Sequence, residues 1–393
     1  MTMWRNMLKY VLLGSLLLWY LSCDAQEKYR LKDNLTAKGY LKYMQTNTFT
    51  NADTIITDNL LHNRVNTRWY LPKNFTLGAE FRNRVFYGDV VRLLPDYGTR
   101  ITSYDGVLPL EILWVNTPSL VINTIIDRLW LDYATEKVEL RVGRQRINWG
   151  LNTVWNPNDL FNALDYLDFD YEERPGSDAV RGQLYLGAMS VLDVAYKWAE
   201  DRDHDVFAAR YKFNTNTYDV QVLAGKYQQD FAAGLGWAGN IGQAGFKGEG
   251  TWFVPLSGSP DSIQVVSFST TLEYGFKNGW NGMISYLLNT GGTDEGGNLL
   301  AFSQFTTTAK SLLPNKHTVF LNGMKQISPV FVVNLGGFYS FGVNWLIFFP
   351  TVTYSIKENW DIDFVGQLFW GDDQNGAFTT QGNALFLRLK WSF

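Results

Sequence analysis

The sequence predicts an all-β fold, a transmembrane antiparallel β-barrel of about 18 strands (about 16–18) with a long in-folded loop. Three observations predict it. Apolar and polar residues alternate in many segments of strand length, and short turns and long loops join these segments in turn. Outside the N-terminus, no apolar run approaches the roughly 18 residues of a membrane-spanning helix.

The chain begins with a predicted secretory signal peptide at 1–25, and the barrel is expected to occupy 26–393. Two basic residues precede an apolar run at 11–21, which is too short to span a membrane, and Ala25 fits a cleavage site. Lipoprotein processing with an acylated Cys23 is the alternative. Cleavage after Ala25 removes the only cysteine and so excludes disulfides, cysteine catalysis and thiolate metal sites.

Alternation with a period of two, bounded by turn residues, marks eighteen candidate strands. They lie at 35–48, 58–71, 74–87, 120–133, 137–148, 179–187, 190–198, 206–214, 217–228, 230–240, 242–254, 263–276, 280–290, 316–327, 329–340, 344–356, 360–371 and 382–393. The number is even, as it is in single-chain bacterial barrels.

The connections differ in length at the two ends of these strands. Turns of a few residues follow the even-numbered strands, for example at 72–74 and 357–359, whereas long loops at 88–119, 149–178 and 291–315 follow odd-numbered ones. In bacterial outer-membrane barrels the short turns face the periplasm and the long loops face the outside. A soluble β-sandwich has no reason to separate its loops by length in this way.

Charged residues share one face of the predicted strands. In 75–87, for example, Arg82 and Arg84 lie on one face. The apolar residues lie on the opposite face, where Asn83 is the only polar exception. Arg or Lys on the lipid face at the bilayer midplane costs about 2–4 kcal/mol, so these arginines are expected to face the lumen.

Strand 137–148 contains a break in this pattern at Gly143. The residues before it place Arg141 in the lumen, so strict alternation would turn Arg144 and Arg146 towards lipid. A bulge at Gly143 would shift the parity by one residue and place Arg144, Arg146 and Asn148 inward. The alternative is that the strand leaves the membrane at this point.

Two features resemble known protein groups. The last strand alternates Leu385, Leu387, Leu389 and Trp391 with Ala384, Phe386, Arg388, Lys390 and Ser392, and it ends on Phe393. This pattern resembles the terminal insertion signal of Gram-negative outer-membrane β-barrels. The second feature covers roughly 137–187 and consists of Gly143-Arg144-Gln145 followed by Trp149-Gly150, then Asn156-Pro157-Asn158-Asp159-Leu160-Phe161-Asn162, then Glu173-Arg174-Pro175-Gly176-Ser177-Asp178-Ala179. It resembles a poorly characterised group of porin-like Gram-negative outer-membrane proteins, and the resemblance implies a barrel with an in-folded loop but no substrate.

The loop at 149–178 is too apolar for a flexible linker and is expected to fold into the lumen, with a short helix near 158–164. It sets acids opposite the arginines of the wall. The predicted constriction residues are Arg82, Arg84, Arg128, Arg141, Arg144 and Arg146 on the wall and Asp165, Asp168, Asp170, Glu172 and Glu173 on the loop. Such an arrangement sorts solutes by charge, or it pins the loop, and the two roles are compatible.

The function predicted from these features is passive diffusion of small hydrophilic solutes, with an expected preference for anions, through an outer-membrane channel. The alternative is a plugged barrel that acts in envelope assembly, adhesion or polymer export. With only three histidines and no serine placed to pair with one, no enzymatic activity and no cofactor or metal are predicted.

The predicted partners are outer-membrane lipid, lipopolysaccharide, the barrel assembly machinery and the solutes themselves. A net charge of -4 and a pI near 5.5 predict no nucleic-acid partner. Whether copies form a homo-oligomer is left open by the sequence.

Overall fold

The computed structural model describes residues 31–49, 54–102, 106–163, 175–256, 263–294, 305–373 and 376–393. The predicted signal peptide lies outside these residues. In the part of the chain that is described, no helix has the length and apolar character needed to cross a membrane. The helices are short: Leu31–Asn34, Asp89–Leu93, Tyr97–Thr102 and the 3-10 turn Arg202–His204.

The described residues form one antiparallel sheet of nineteen strands. The strands are β1 (Leu35–Phe49), β2 (Ile55–Leu71), β3 (Phe75–Gly88), β4 (Glu111–Thr117), β5 (Leu120–Ala134), β6 (Val138–Gln145), β7 (Ser177–Gly187), β8 (Ser190–Lys197), β9 (Val206–Thr215), β10 (Tyr218–Tyr227), β11 (Asp230–Ile241), β12 (Ala244–Pro255), β13 (Val265–Gly275), β14 (Trp280–Asn289), β15 (His317–Ser328), β16 (Phe331–Ser340), β17 (Trp345–Lys357), β18 (Trp360–Asp372) and β19 (Phe378–Ser392). Because β1 pairs with both β2 and β19, the sheet closes on itself. Closure gives each of these strands except β4 a partner on both sides, as a barrel in lipid requires. The predicted fold class is confirmed, with 18 strands in the closed wall.

The additional strand, β4, is not among the predicted ones. One edge of β5 pairs with β3 along nearly its whole length. The other edge pairs with β4 along the first half of β5 and with β6 along the second half. β4 therefore takes the place of β6 after β6 has left the wall.

Side chains alternate between the outer surface and the lumen as predicted. On β19, Leu387 and Trp391 are 43% and 39% exposed on the outside, whereas Ala384 and Phe386 are buried inside the barrel. The outer surface is thus apolar where lipid would contact it.

Asn83, the predicted exception on the apolar face, belongs to a hydrogen-bonded ladder across three strands. Its Nδ2 donates to Asn63 Oδ1 at 3.1 Å, and its Oδ1 accepts from Thr124 Oγ1 at 2.8 Å. Trp114 Nε1 on β4 donates to the same threonine hydroxyl at 2.9 Å. Mutual pairing lowers the cost of placing these polar groups on the outside of the wall.

The predicted bulge at Gly143 is wrong. The registers of β5 with β6 and of β6 with β7 run through Gly143 without a shift, although this glycine has a φ of 119°. The register shift lies on β5 instead, where Asp127 is the extra residue between Ile126 and Arg128 in the pairing with β3. A bulge lets two neighbouring residues approach the same face, and both Asp127 and Arg128 are buried.

Candidate pore constriction

After Gln145 the chain turns away from the wall, and the described first part of the loop between β6 and β7 runs through the barrel interior. In its described part, 146–163, Ile147, Trp149 and Asn158 are completely buried. The partners of Trp149 and Asn158 lie on the inner faces of β8 and of β10 to β12. Residues 158–163 form a turn and irregular backbone, so the predicted helix does not extend over them.

The first anchor of this constriction loop is Trp149. Its indole Nε1 donates to Asp193 Oδ2 on β8 at 3.0 Å, and its carbonyl accepts from Gln221 Nε2 on β10 at 2.6 Å. Asp193 is completely buried and pairs with Arg181 and Arg210 at 2.6 and 3.0 Å. Two guanidinium groups compensate the charge of this carboxylate, which also fixes the indole ring.

The second anchor is Glu249 on β12, which is also completely buried. Its carboxylate accepts from the backbone N–H groups of Leu151 at 2.7 Å and of Asn152 and Asn158 at 3.4 Å. A buried carboxylate needs such donors because an uncompensated charge away from water is very costly. The sharp turn of the loop is thus built around one acidic side chain of the wall.

The third anchor is the Asn158 carboxamide. Its Oδ1 accepts from Thr251 Oγ1 at 2.7 Å, and its Nδ2 donates to the Leu235 carbonyl at 3.1 Å. The neighbouring inward positions on β11 are Gly234 and Gly236, where a Cβ would lie 2.5 and 2.9 Å from the carboxamide. The absence of side chains there makes room for the loop.

The described end of the loop between β14 and β15 also packs inside the mouth of the barrel. Leu312 and Leu313 are buried in the same apolar cluster as Trp155 of the constriction loop. Next to them, Lys310 Nζ lies 2.8 Å from Asp230 on β11. The constriction loop is therefore covered on one side by a second loop.

The wall on the other side of the barrel carries a network of arginines and acids. Arg64 lies 2.5 Å from both Asp127 and Glu80, and Arg82 lies 3.1 Å from Asp127. Arg128, which follows in the bulge, donates to the Asp127 carbonyl at 2.7 Å. The predicted residues Arg82 and Arg128 thus lie together at one place, organised by an acid that the prediction did not include.

The other predicted arginines are more scattered. Arg84 donates to a backbone carbonyl at 3.0 Å, and Arg141 is paired with Asp132 and Glu139 at 2.9 Å each. Arg146 is exposed, at the start of the constriction loop.

Arg144 does not line the lumen, which corrects the prediction for this residue. It shares the parity of the outward Val142 and is 1% exposed. Its guanidinium lies 2.7 Å from Glu111 on β4 and 2.8 Å from Asp178 on β7, and it donates to the Leu108 carbonyl at 2.5 Å. Arg144 therefore closes the wall at the point where β4 replaces β6.

The predicted loop acids, Asp165, Asp168, Asp170, Glu172 and Glu173, lie outside the described residues, and their pairing with the wall stays a prediction. Three acids that do organise the site, Asp127, Asp193 and Glu249, were missed by sequence reasoning. In the sequence, each of these three residues is only a single acid at a strand position that faces the lumen.

Solved structures share this architecture. OccAB3 of Acinetobacter baumannii is 12% identical with a TM-score of 0.57, covering 92% of this chain and 99% of that one. OpdQ of Pseudomonas aeruginosa is 9% identical with a TM-score of 0.58, covering 91% and 98%. A BenF-like porin from Pseudomonas fluorescens Pf-5 is 10% identical with a TM-score of 0.58, covering 91% and 99%. No protein-family model and no curated protein matches the chain. At these identities the comparison establishes the barrel fold.

Proposed function

We propose that the protein is an outer-membrane channel through which small hydrophilic solutes diffuse passively. The observation that carries the proposal is the position of the constriction loop, which is anchored along β8 to β13 and so narrows one side of a closed barrel. Charged side chains of β2 to β6 line the other side. One of the solved structures with this fold is named a porin, which supports the same function.

The charge balance of the wall supports a weak preference for anions. Six arginines and five acids occupy the inward positions of β2, β3, β5 and β6. They are Arg64, Arg68, Arg82, Arg84, Arg128 and Arg141, and Asp58, Glu80, Asp127, Asp132 and Glu139. A surplus of one positive charge, with most charges paired, biases the field in the pore without excluding cations. From the sequence alone, we propose that the acids at 165–173 lower this surplus of positive charge.

The test is a planar-bilayer recording in a KCl gradient, with Arg82→Glu and Arg146→Glu as variants. Discrete conductance steps are expected, with reversal potentials that move towards cation preference in both variants. Arg92→Glu is the matched control, because Arg92 lies on the short helix Asp89–Leu93, beyond the end of β3, and not at an inward position of a wall strand. Unchanged reversal potentials in both variants would remove the charge preference and leave the channel.

The residues of the motif at 143–162 hold the constriction loop in place. These defined roles support the membership of this chain in the porin-like group that the motif resembles. Gln145 Nε2 donates to the Ala179 carbonyl of β7 at 2.9 Å, Trp149 binds Asp193, and Asn158 binds the wall of β11 and β12. We propose that the motif marks an anchored loop in other members as well. Exchange of the segment 143–162 between this chain and such a member, with conductance retained, would test it.

A plugged barrel for envelope assembly, adhesion or polymer export is the second candidate. The buried cluster of Trp155 with Leu312 and Leu313 favours it, since two loops pack on each other inside the mouth. Absence of conductance in the native barrel, restored by deleting 151–176, would establish it in place of the channel.

The histidines give no support to a hydrolase. His62 Nε2 lies 3.4 Å from the Tyr40 hydroxyl and His317 Nδ1 lies 2.7 Å from the Tyr286 hydroxyl. His204, which is half-exposed, lies 3.6 Å from Asp201. None of these contacts supplies a nucleophile activated by a base.

The remaining proposals concern the envelope. Signal-peptide cleavage after Ala25, insertion by the barrel assembly machinery and contact with lipopolysaccharide follow from the barrel's place in an outer membrane. Intact mass of the purified protein checks the cleavage site and would reveal acylation of Cys23. Chemical cross-linking in native membranes checks for a homo-oligomer.

A further inference from the structure

An apolar cavity of about 330 Å³ opens between the tip of the constriction loop and the wall of β15 to β19. Four aromatic rings surround it. Trp155 meets Phe320 edge to face at 6.2 Å, and Phe338 and Phe349 pack at 5.6 Å with a tilt of 39°. Trp155 and Phe338 are buried, while Phe320 and Phe349 are half-buried and accessible from the lumen. The volume lies at the lower end of the range of small-molecule sites.

A glycine keeps the floor of this cavity open. Gly336 on β16 pairs with Asn322 on β15 and with Phe349 on β17. A Cβ there would lie 3.0 Å from Asn322 Nδ2 and 3.3 Å from the Phe320 ring. Any side chain at this position would therefore project into the space beside the rings.

The polar part of the lining contains two carboxamides, together with Thr351 and Arg388. Asn322 Nδ2 donates to Asn334 Oδ1 at 2.6 Å. This bond uses one donor of the first amide and an acceptor of the second, so the Asn322 oxygen and the Asn334 amino group retain hydrogen-bonding capacity towards a solute. Both side chains are half-buried.

The charge in the lining is compensated. Arg388 Nε lies 2.8 Å from Asp363 Oδ2, and the other oxygen of Asp363 accepts from Thr353 Oγ1 at 2.6 Å. The guanidinium and the carboxylate together carry no net charge, so a solute carboxylate gains less from Arg388 than it would from an arginine without an acidic partner.

From this combination we infer that the cavity is a subsite for a neutral ring-shaped solute with one apolar face and several hydroxyl groups, that is, a pyranose sugar. The apolar face of the ring packs on Phe349 and Phe320, and its hydroxyl groups bond to the two carboxamides. A purely apolar solute would offer no hydrogen bond to the Asn322 oxygen or the Asn334 amino group, at a cost in free energy. The inference rests on the proposed channel function and names a solute class for it.

The experiment measures blockage of the ion current by D-glucose and by D-glucuronate, which carries a carboxylate on the same ring. Glucose is expected to block wild-type channels in a concentration-dependent manner and more strongly than glucuronate. Phe349→Ala and Asn334→Ala are each expected to weaken the glucose block about tenfold, because stacking area or a hydrogen bond is lost. Phe348→Ala is the matched control, since this neighbouring ring has the opposite parity and faces outward.

Three results would overturn the inference while leaving the channel: no glucose block in a conducting channel, an equal loss in Phe348→Ala and Phe349→Ala, or tighter binding of glucuronate than of glucose. Heat-dependent migration in SDS gels verifies that each variant is folded, and Asn334→Ala, which removes little volume, decides if Phe349→Ala does not fold. If the barrel conducts no current, the channel function fails separately. Calorimetric titration of the detergent-solubilised barrel with glucose then decides the subsite: heat of binding that is lost in Asn334→Ala supports it, and its absence in wild type refutes it.

Discussion

Replacement of Glu249 is expected to release the constriction loop from the wall. The carboxylate lies on β12, almost a hundred residues along the chain from the three backbone N–H groups that it accepts. It is completely buried, so water cannot replace it without a movement of the loop. Alanine at this position leaves the three donors without their acceptor.

The size of the effect follows from the distances. Hydrogen bonds to charged groups contribute roughly 1.5–3 kcal/mol each. The bond at 2.7 Å counts in full, whereas those at 3.4 Å are long and count about half. Glu249→Ala therefore destabilises the anchored loop by roughly 3–6 kcal/mol. Because 1.4 kcal/mol corresponds to a factor of ten, the detached population rises by about two to four orders of magnitude. Glu249→Gln, which retains one acceptor oxygen, has about half this effect.

The assay uses thiol accessibility in a chain whose only natural cysteine lies in the predicted signal peptide. Val154 is 8% exposed and lies in the turn held by Glu249, so Val154→Cys reports on loop release. A membrane-impermeant maleimide is expected to label this cysteine slowly in the parent and at least tenfold faster with Glu249→Ala. Open-channel current noise is expected to rise in the same variant.

The matched control is Glu273→Ala on the adjacent strand β13. Glu273 also contacts the loop, through Thr153, but its side chain is 30% exposed and pairs with Lys247. Exposed ion pairs contribute little, about 0–1 kcal/mol. If labelling is equally fast in the two variants, or unchanged in Glu249→Ala, the carboxylate is not the anchor and the reasoning from its hydrogen bonds is refuted.

The remaining predictions concern the room for the loop, the wall and the charge network. Gly234→Val is expected to push Asn158 into the pore and lower the conductance, whereas Gly182→Val, with no atom within 4 Å of its Cβ, leaves it unchanged. Arg144→Ala leaves the buried Asp178 and the half-buried Glu111 without their shared cation, at a cost of about 3–5 kcal/mol. The variant is expected to lower the temperature at which the barrel unfolds in SDS gels, and an unchanged temperature contradicts the wall-closing role. Asp127→Asn is expected to raise the anion preference in reversal-potential measurements, because two arginines lose their shared acid, and no shift would show that this network is remote from the ion path.

The barrel itself could be predicted from the sequence because its rule is local. Each strand alternates between lipid and lumen, so a window of about ten residues contains the whole signal. β19 is the clearest example, with its leucines and Trp391 outside and Phe386 inside. The strand β4 could not be predicted in this way, because the edge it occupies on β5 becomes free only where β6 leaves the wall.

The inward course of the constriction loop could be predicted, whereas its anchors could not. The apolar composition of the loop shows that it must be buried, and that property is local. Its partners Asp193 and Glu249 lie on distant strands, and each is a single acid among small or apolar residues. The glycines at 234 and 236 are a signal that the sequence analysis did not use, because glycine within a strand is often found where another part of the chain approaches closely.

Arg144 shows why the parity of a strand does not by itself assign a residue to the pore. The expectation of a bulge at Gly143 rested on the cost of an arginine that faces lipid. Shielding the charge from lipid is enough to avoid this cost, even if the side chain keeps its outward direction. Here Arg144 keeps its outward parity, and Glu111, Asp178 and the backbone at Leu108 enclose it. An outward charge near the end of a barrel strand therefore predicts either a bulge or a covering segment of chain. A long neighbouring loop, such as 88–119 here, favours the covering segment.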